Sequence, residues 1–354
     1  AQVAQARGAL LLAPSASDPG VFHGRSMVFG MLMPATQYLP PAVEAVAAQG
    51  ARSLAFVQQA TRFELAMCSG IEELAANHRL TLVSGMTLPE QAGDEELLAV
   101  VSELKGGGAH AVVGCLQEDL CHRLLRLMFE EDFNPRAIVL PTCAAAGNFL
   151  SQVGDMGQYS IGVVPVASFP PLAPGLLALD SRAFADQYTM HFNSREEPGY
   201  QAATAFIACA ALVHAVEGAS SVEPGAVASA LRRPEQPIAF DENGQSLMQA
   251  TAVQYQWSTR YFMVGYHAME RPLWYPKPKW KDVKCVDWQV PYSHHGIVRA
   301  DGEEGWSCEP CARGSVSVFD WYRMLRTCER CAAGTVEVES VGSFDDSLPG
   351  PDSG

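Results

Sequence analysis

Over the first 268 positions the apolar residues follow two rhythms in alternation. Short continuous apolar runs at Gly8–Leu12, Ser53–Val57, Leu80–Val83, Ala109–Cys115, Ala137–Leu140 and Ile161–Val166 read as strands buried on both faces. Between them the spacing turns helical. In Arg62–Ala76, Phe63, Met67, Gly70, Ile71 and Leu74 form one stripe beside Glu64, Glu72 and Glu73, which predicts a single amphipathic helix. In Gln117–Glu131 the stripe is Cys121, Leu124, Leu125 and Met128, with Glu118, Arg123, Arg126 and Glu130 off it. Gly106-Gly107-Gly108 falls between a helix and a strand, where it stops the helix rather than cradling a nucleotide. Alternation with short connections predicts an α/β fold of doubly wound parallel sheets flanked by helices.

After residue 166 the rhythm changes. Phe169–Gly175 holds three prolines and reads as a crossing segment. Helical stretches follow at Ser181–Asn193, Gly199–Gly218 and Glu223–Arg232, the middle one apolar nearly all round and so expected to be buried on more than one side. Phe240–Gly244 and Ala250–Gln256 read as strands around an Asn243–Gly244 turn. Arg271–Trp280 sets Pro272, Pro276 and Pro278 among Trp274, Tyr275 and Trp280, which suits a strap across the preceding domain. The segment Ser340–Gly354 is small, acidic and rich in proline and glycine, the composition of a linker.

Composition narrows the function classes. The net charge of −15, from 39 acids against 24 bases, opposes phosphate backbones and excludes nucleic acid as the expected partner. The longest apolar runs, such as Ala202–Val213, are read as too short or too interrupted to cross a bilayer, so a membrane enters only through segments outside this chain. No leader opens the chain, which therefore reads as a piece of something longer. Of the ten cysteines, Cys68, Cys115, Cys121, Cys143 and Cys209 are scattered among apolar stretches, where buried free thiols are the ordinary reading. Cys285, Cys308, Cys311, Cys328 and Cys331 crowd together near the end and mark a second module.

The order of signals over 1–268 resembles the receptor-type ligand-binding family that includes bacterial branched-chain amino-acid binding proteins and animal receptor ectodomains. Leu12-Ala13-Pro14-Ser15-Ala16-Ser17-Asp18-Pro19 with Val28-Phe29 resembles the family's strand, Ser-Pro-x-x-Thr turn and following strand. Gly50–Phe56 resembles the strand opening its second lobe, Pro198–Gly218 its returning helix, and Phe240–Gln245 its late Phe-Asp-x-x-Gly signature. The resemblance implies a periplasmic-binding type I clamshell. Lobe one would be 1–47 and 168–236, lobe two 48–167 and 237–268. A strap and linker would occupy 269–305, cysteine-rich repeats 306–339 and a disordered tail 340–354. Three strand-helix units that normally precede the first strand are not seen, which implies a truncated first lobe. Hinge crossings are expected near Gln49, Ser168 and Gln236, with ligand favouring the closed form and no covalent chemistry or cofactor required.

In such a fold the ligand sits between the lobes at strand carboxyl ends. The resemblance implies contacts from Ser15 and Ser17, although the same residues can simply cap a turn. Phe63 can stack on a ligand, but its place in a helical stripe favours core packing. The family's amine-binding acid would fall at Pro141-Thr142-Cys143, where Thr142 stands instead, so a small polar or carboxylate ligand is expected before an α-amino acid. Tyr200, heading the buried helix, completes the candidate site. Dimerisation through lobe one is a further expectation of the resemblance.

Cys308-x-x-Cys311-x-x-Gly-Ser-Val recurs twenty residues on as Cys328-x-x-Cys331-x-x-Gly-Thr-Val. The repeat resembles ephrin-receptor-like or growth-factor-receptor-like cysteine modules, which implies two disulfides, crossed as Cys308–Cys328 and Cys311–Cys331. Two Cys-x-x-Cys pairs also suit a zinc ribbon. Cys285 is left over, and His294-His295 reads as an exposed loop pair. Three functions therefore stand: an extracellular or cell-surface small-molecule-binding ectodomain, a cytoplasmic α/β protein with a zinc ribbon, and a stalk that binds only protein. An enzyme is not expected, because no Gly-x-Ser-x-Gly elbow, phosphate-binding Gly-rich loop or His-Glu-x-x-His helix occurs.

Overall fold

A computed structural model describes residues 1–165, 180–193, 198–234, 236, 238–256, 259–262 and 272–280, and the strand pairing of 294–298, 306–310, 315–320 and 325–330. The expectations on Ser168, Phe169–Gly175, Cys285, Cys311, Cys331 and 340–354 lie outside the described residues. Two units divide the chain, Ala1–Val283 and Lys284–Gly354.

The first unit holds a seven-stranded sheet. Its strands are β3 (Ser53–Gln59), β4 (Thr81–Leu88), β5 (Ala111–Cys115), β6 (Ala137–Val139), β7 (Ile161–Val164), β8 (Thr251–Gln256) and β9 (Thr259–Phe262), in the spatial order β4-β3-β5-β6-β7-β8-β9. The first five run parallel, and β8 and β9 close one side antiparallel. Every residue of β5, β6, β7 and β8 is buried, as expected for strands covered on both faces. Edge strand β4 instead alternates between exposed and half-buried residues, and it extends to Leu88, well beyond the apolar run Leu80–Val83.

Helices α3 (Arg62–Cys68), α4 (Ile71–Asn77), α5 (Asp94–Gly107), α6 (Glu118–Glu130) and α7 (Phe149–Val153) connect these strands. The single helix expected over Arg62–Ala76 is two, because Gly70 takes a left-handed φ of 82° and breaks the turn. Helix α5 starts with Asp94, Glu95 and Glu96 against its positive end and stops at Gly108, which is left-handed at φ 62°.

Lobe one contains α1 (Gln2–Ala6), the parallel pair β1 (Leu11–Ala13) and β2 (Val28–Gly30), α8 (Ser181–Phe192), α9 (Tyr200–Ala219) and α10 (Pro224–Leu231). Phe29, Met31 and Leu32 pack with Ile207, Ala211 and Leu231 in its core. Phe240–Gly244 forms a turn rather than a strand: Asp241 accepts hydrogen bonds from the backbone of Asn243 and Gln245, and Gly244 sits at φ 83° with its carbonyl taking the Gly30 amide at 2.8 Å. A Cβ on Gly244 would lie 2.7 Å from the Val28 carbonyl, so the late Phe-Asp-x-x-Gly signature is what lets this turn press onto β2. Helix α9 is buried along one face only, by Ala203, Ile207, Ala210, Ala211 and Ala215, and exposes Ala205, Cys209, Leu212 and Val213. It is also 20 residues long and apolar enough by composition to cross a membrane, which corrects the reading of this run as too short.

Core partners change between Leu32, in the lobe-one cluster, and Met33, in the lobe-two cluster, and change back between Met248 and Ala250. Helix α2 (Pro40–Ala48) therefore packs on the seven-stranded sheet, and residues 238–248 pack with lobe one, rather than dividing at 47 and 236.

Two disulfides, Cys68–Cys115 and Cys121–Cys143, replace the expected buried thiols. Helix α3 lies over the carboxyl end of β5 and brings the Cα atoms of Cys68 and Cys115 to 6.1 Å, while α6 and the turn after β6 bring those of Cys121 and Cys143 to 6.7 Å. Cys209 alone of the five is free, and it is exposed rather than buried.

Residues 272–280 lie across lobe two. Gln254 on β8 accepts the Trp274 amide at 2.8 Å, the Lys277 amide donates to the Arg136 carbonyl at 2.7 Å, and the Trp280 indole N–H donates to the Met156 carbonyl at 3.3 Å. The second unit contains two antiparallel pairs, β10 (His294–Val298) with β11 (Trp306–Pro310) and β12 (Ser315–Asp320) with β13 (Leu325–Arg330). His294 and His295 are thus strand residues, not a loop pair. Cys308 lies on β11 and Cys328 on β13; the pairing of the four repeat cysteines lies outside the described residues.

Candidate functional site

The strand order β4-β3-β5-β6-β7 reverses direction of winding between β3 and β5, and a crevice opens outside the carboxyl ends of the strands at such a point. What stands there is Ala60-Thr61-Arg62-Phe63 after β3, Leu116-Gln117 after β5 and Pro141-Thr142 after β6. The Gln59 side chain ties the loops together, donating to the Glu90 carbonyl at 2.7 Å and accepting the Gln117 amide at 2.9 Å. The two disulfides fix the same rim, since Cys115 ends β5 and Cys143 follows Thr142.

From lobe one the turn Ser15-Ala16-Ser17-Asp18, at the carboxyl end of β1, meets this rim. Asp18 caps a short 3-10 turn, accepting the Gly20 amide through Oδ1 at 2.8 Å, and its Oδ2 pairs with the Arg62 guanidinium at 2.8 Å. Ser17 is buried. Its hydroxyl lies 3.3 Å from the Tyr38 hydroxyl, and its carbonyl accepts from the Ala35 amide and from the Gln245 side chain. Tyr38 belongs to the crossing segment that joins the lobes. Its ring packs in the lobe-two core and edge-on to Phe63 at 5.6 Å, while its hydroxyl reaches back to lobe one.

Burial holds the Tyr38 hydroxyl far above the ordinary tyrosine range; the Ser17 hydrogen bond opposes this and Tyr200 adds to it. Burial also raises Tyr200. Both phenols therefore stay neutral and can donate. Glu64, buried in the first turn of α3, accepts from the Thr61 hydroxyl, and burial pushes its carboxyl upward.

Of the five residues expected at the site, Ser17, Phe63 and Tyr200 gather around Tyr38. Ser15 is exposed on the same turn. Thr142 is half-buried in a 3-10 turn after β6, and among the described residues no hydrogen bond or ring contact ties it to the other four. Sequence reasoning missed Tyr38, Asp18 and Arg62. A separate cavity of about 310 Å³ lies between the start of α2 and the α3–α4 junction, lined by Thr36, Leu39, Ser69, Ile71, Leu74 and Asn77. None of its polar residues is buried, so it offers little to orient a ligand.

Two lobes built on parallel sheets, joined by crossing segments and meeting at strand carboxyl ends, define a clamshell binding protein of the type I kind. Residues 1–256 match the Periplasmic binding protein family, and the chain belongs to that family. The fold is also that of solved members. A leucine binding protein from Thermotoga maritima superposes with a TM-score of 0.63 at 17% identity, covering 74% of each chain. A putative branched-chain amino acid ABC transporter protein from Silicibacter pomeroyi gives 0.64 at 14% identity, over 79% of this chain and 78% of that one. A solute binding protein from R. palustris in complex with benzoate gives 0.59 at 13% identity, over 77% and 76%.

Proposed function

We propose that this chain is a solute-binding ectodomain, working outside the cytoplasm by closure of its two lobes on a small polar or carboxylate solute. The observation that carries this reading is the neutral hydroxyl pair Ser17–Tyr38, buried where the lobes meet, with Tyr200 beside it. Buried hydroxyls at the carboxyl ends of strands are the groups that orient a small ligand. The similar structures, one named a leucine binding protein and one in complex with benzoate, suggest the size of solute to expect. Thr142 in place of an acid leaves an ammonium group without a partner after β6, which favours carboxylates over zwitterionic amino acids. Ser15 and Phe63 complete the lining. Two disulfides support the location, since such bonds persist in oxidising compartments. The repeat's resemblance to extracellular cysteine modules favours crossed bridges, Cys308–Cys328 and Cys311–Cys331, as the reading to test for the second unit.

The test is ligand-dependent melting of the whole chain against a panel of small carboxylates, neutral polar solutes and amino acids. A carboxylate or neutral solute is expected to raise the melting temperature. Ser17→Ala should weaken its binding roughly five- to a hundred-fold, the cost of leaving a buried partner unsatisfied. Tight binding of an α-amino acid that ignores Ser17→Ala refutes the ligand class and the site together.

A further inference from the structure

Among the described residues the lobes touch through one charged contact, which does not belong to the hydroxyl cluster. Asp18, on the turn after β1, and Arg62, at the start of α3 after β3, stand at the carboxyl ends of strands from opposite lobes, and their side chains meet at 2.8 Å. The two ends of this contact are built differently. Asp18 is held in place, because its second oxygen takes the Gly20 amide and its side chain is only 21% exposed. Arg62 is 77% exposed and meets one protein acceptor, Asp18, among the described residues. A guanidinium carries five N–H donors in a planar fork that fits a carboxylate by two parallel bonds. Most of that fork is unused.

We propose that Arg62 is the anion-recognition group of the solute site, and that Asp18 is an internal carboxylate that occupies it until a solute carboxylate takes its place. This rests on the solute-binding reading and names its charge chemistry. Three features support it. The position is the reversal point of the strand order, where a ligand enters. A net charge of −15 gives an anionic solute no help from the global field, so a local cation must supply the attraction. An exposed ion pair of this kind is weak, so a carboxylate held at two points can displace it. Gly20 is part of the same arrangement: a Cβ there would lie 2.5 Å from the Arg62 guanidinium, so glycine leaves the approach open.

The experiment uses the oxidised full chain, with benzoate and 4-methyl-2-oxopentanoate as probes, benzamide as the neutral control and leucine as the zwitterion. Calorimetric titration should show a carboxylate binding in preference to benzamide. Arg62→Gln should weaken it at least tenfold. Asp18→Asn, which removes the competitor, should strengthen it two- to fivefold. A ligand-free arm measures fluorescence transfer between Cys209 in lobe one and Glu95→Cys in lobe two, where Asp18→Asn and Arg62→Gln should each increase the mean separation. Carboxylate binding indifferent to both substitutions overturns the assignment and leaves the solute-binding reading standing. Separation unchanged by both overturns the internal occupant. Failure of every probe on both wild type and Asp18→Asn removes the solute-binding reading and the assignment with it.

Discussion

Replacing Cys68 and Cys115 together by alanine removes the bond that ties α3 to the end of β5 while leaving Cys121–Cys143 intact. The bond closes a loop of sequence separation 47. Loss of that cross-link frees denatured-chain entropy worth about 4 kcal/mol at 25 °C on the loop-closure relation. Both sulfurs lie in the core, with Cys68 2% and Cys115 0% exposed, so two alanines also leave a small void that adds to the loss. Serine would be worse, because it would place two hydroxyls among apolar neighbours. At about 2 °C per kcal/mol for a unit of this size, the double variant should melt about 8 °C below the oxidised wild type. Circular dichroism melts of the two proteins without reductant measure this directly. A fall of less than about 2 °C, or alkylation of Cys68 and Cys115 in unreduced denatured wild type, would refute the pairing and the entropy argument built on it.

Gly162 on β7 faces the turn Cys143–Ala145 so closely that an added Cβ would meet the Ala144 carbonyl and stand 2.6 Å from the Ala145 amide nitrogen; Gly162→Ala should cost about 1–3 kcal/mol in urea unfolding, and a neutral substitution would show that the turn can move. Lys277 is buried under the Trp280 ring at 4.1 Å and bonds the Pro278 carbonyl, and burial lowers it to about 7. Its folded value lies below its unfolded one, so its charging penalty is full below pH 7 and fades as pH rises toward 10.5. Wild-type stability relative to Lys277→Met should therefore rise by up to about 1.4 kcal/mol per pH unit between pH 7 and 10, and parallel stability curves would exclude a buried charge. Tyr38→Phe and Ser17→Ala should couple by about 0.5–1.5 kcal/mol in a double-mutant cycle of denaturant stability, and strict additivity would mean that their hydroxyls do not bond.

Periodicity carried the inner strands well because β5, β6 and β7 are buried on both faces, as in the run Ala109–Cys115. It failed where one element hides two periods. Arg62–Ala76 keeps a continuous helical stripe across Gly70, and only the backbone angle shows that Ser69–Gly70 divides it. It failed again on α9, whose alanines look the same on the buried face as on the exposed one, so the stripe Ala205, Cys209, Leu212 and Val213 could not be told from core. The lone cysteines illustrate a third kind of failure. Cys68 and Cys115 are far apart in sequence, and only the packing of α3 over β5 brings them together. The strap was visible in its prolines and tryptophans, but not the lysine buried within it.

The site divides along the same physical line. The resemblance pointed to Ser17 and Tyr200, because the turn after β1 and the head of α9 hold fixed places in this fold, and both lie beside Tyr38. Tyr38 lies on a crossing segment without periodicity, and its role depends on a ring in one lobe and a hydroxyl aimed at the other. Arg62 looked like the ordinary polar start of a helix, and Asp18 like an ordinary cap, which it also is. Each has a sufficient local explanation, so neither invites a second. Only their meeting across the two lobes, 44 positions apart in the numbering, converts a cap and a helix start into a charged contact at the mouth of the crevice. A feature of this kind arises only where the two lobes meet and has no signature in either lobe's sequence alone. Contacts between the two halves of a clamshell are therefore the hardest to read from sequence, because each partner already has a sufficient explanation within its own half.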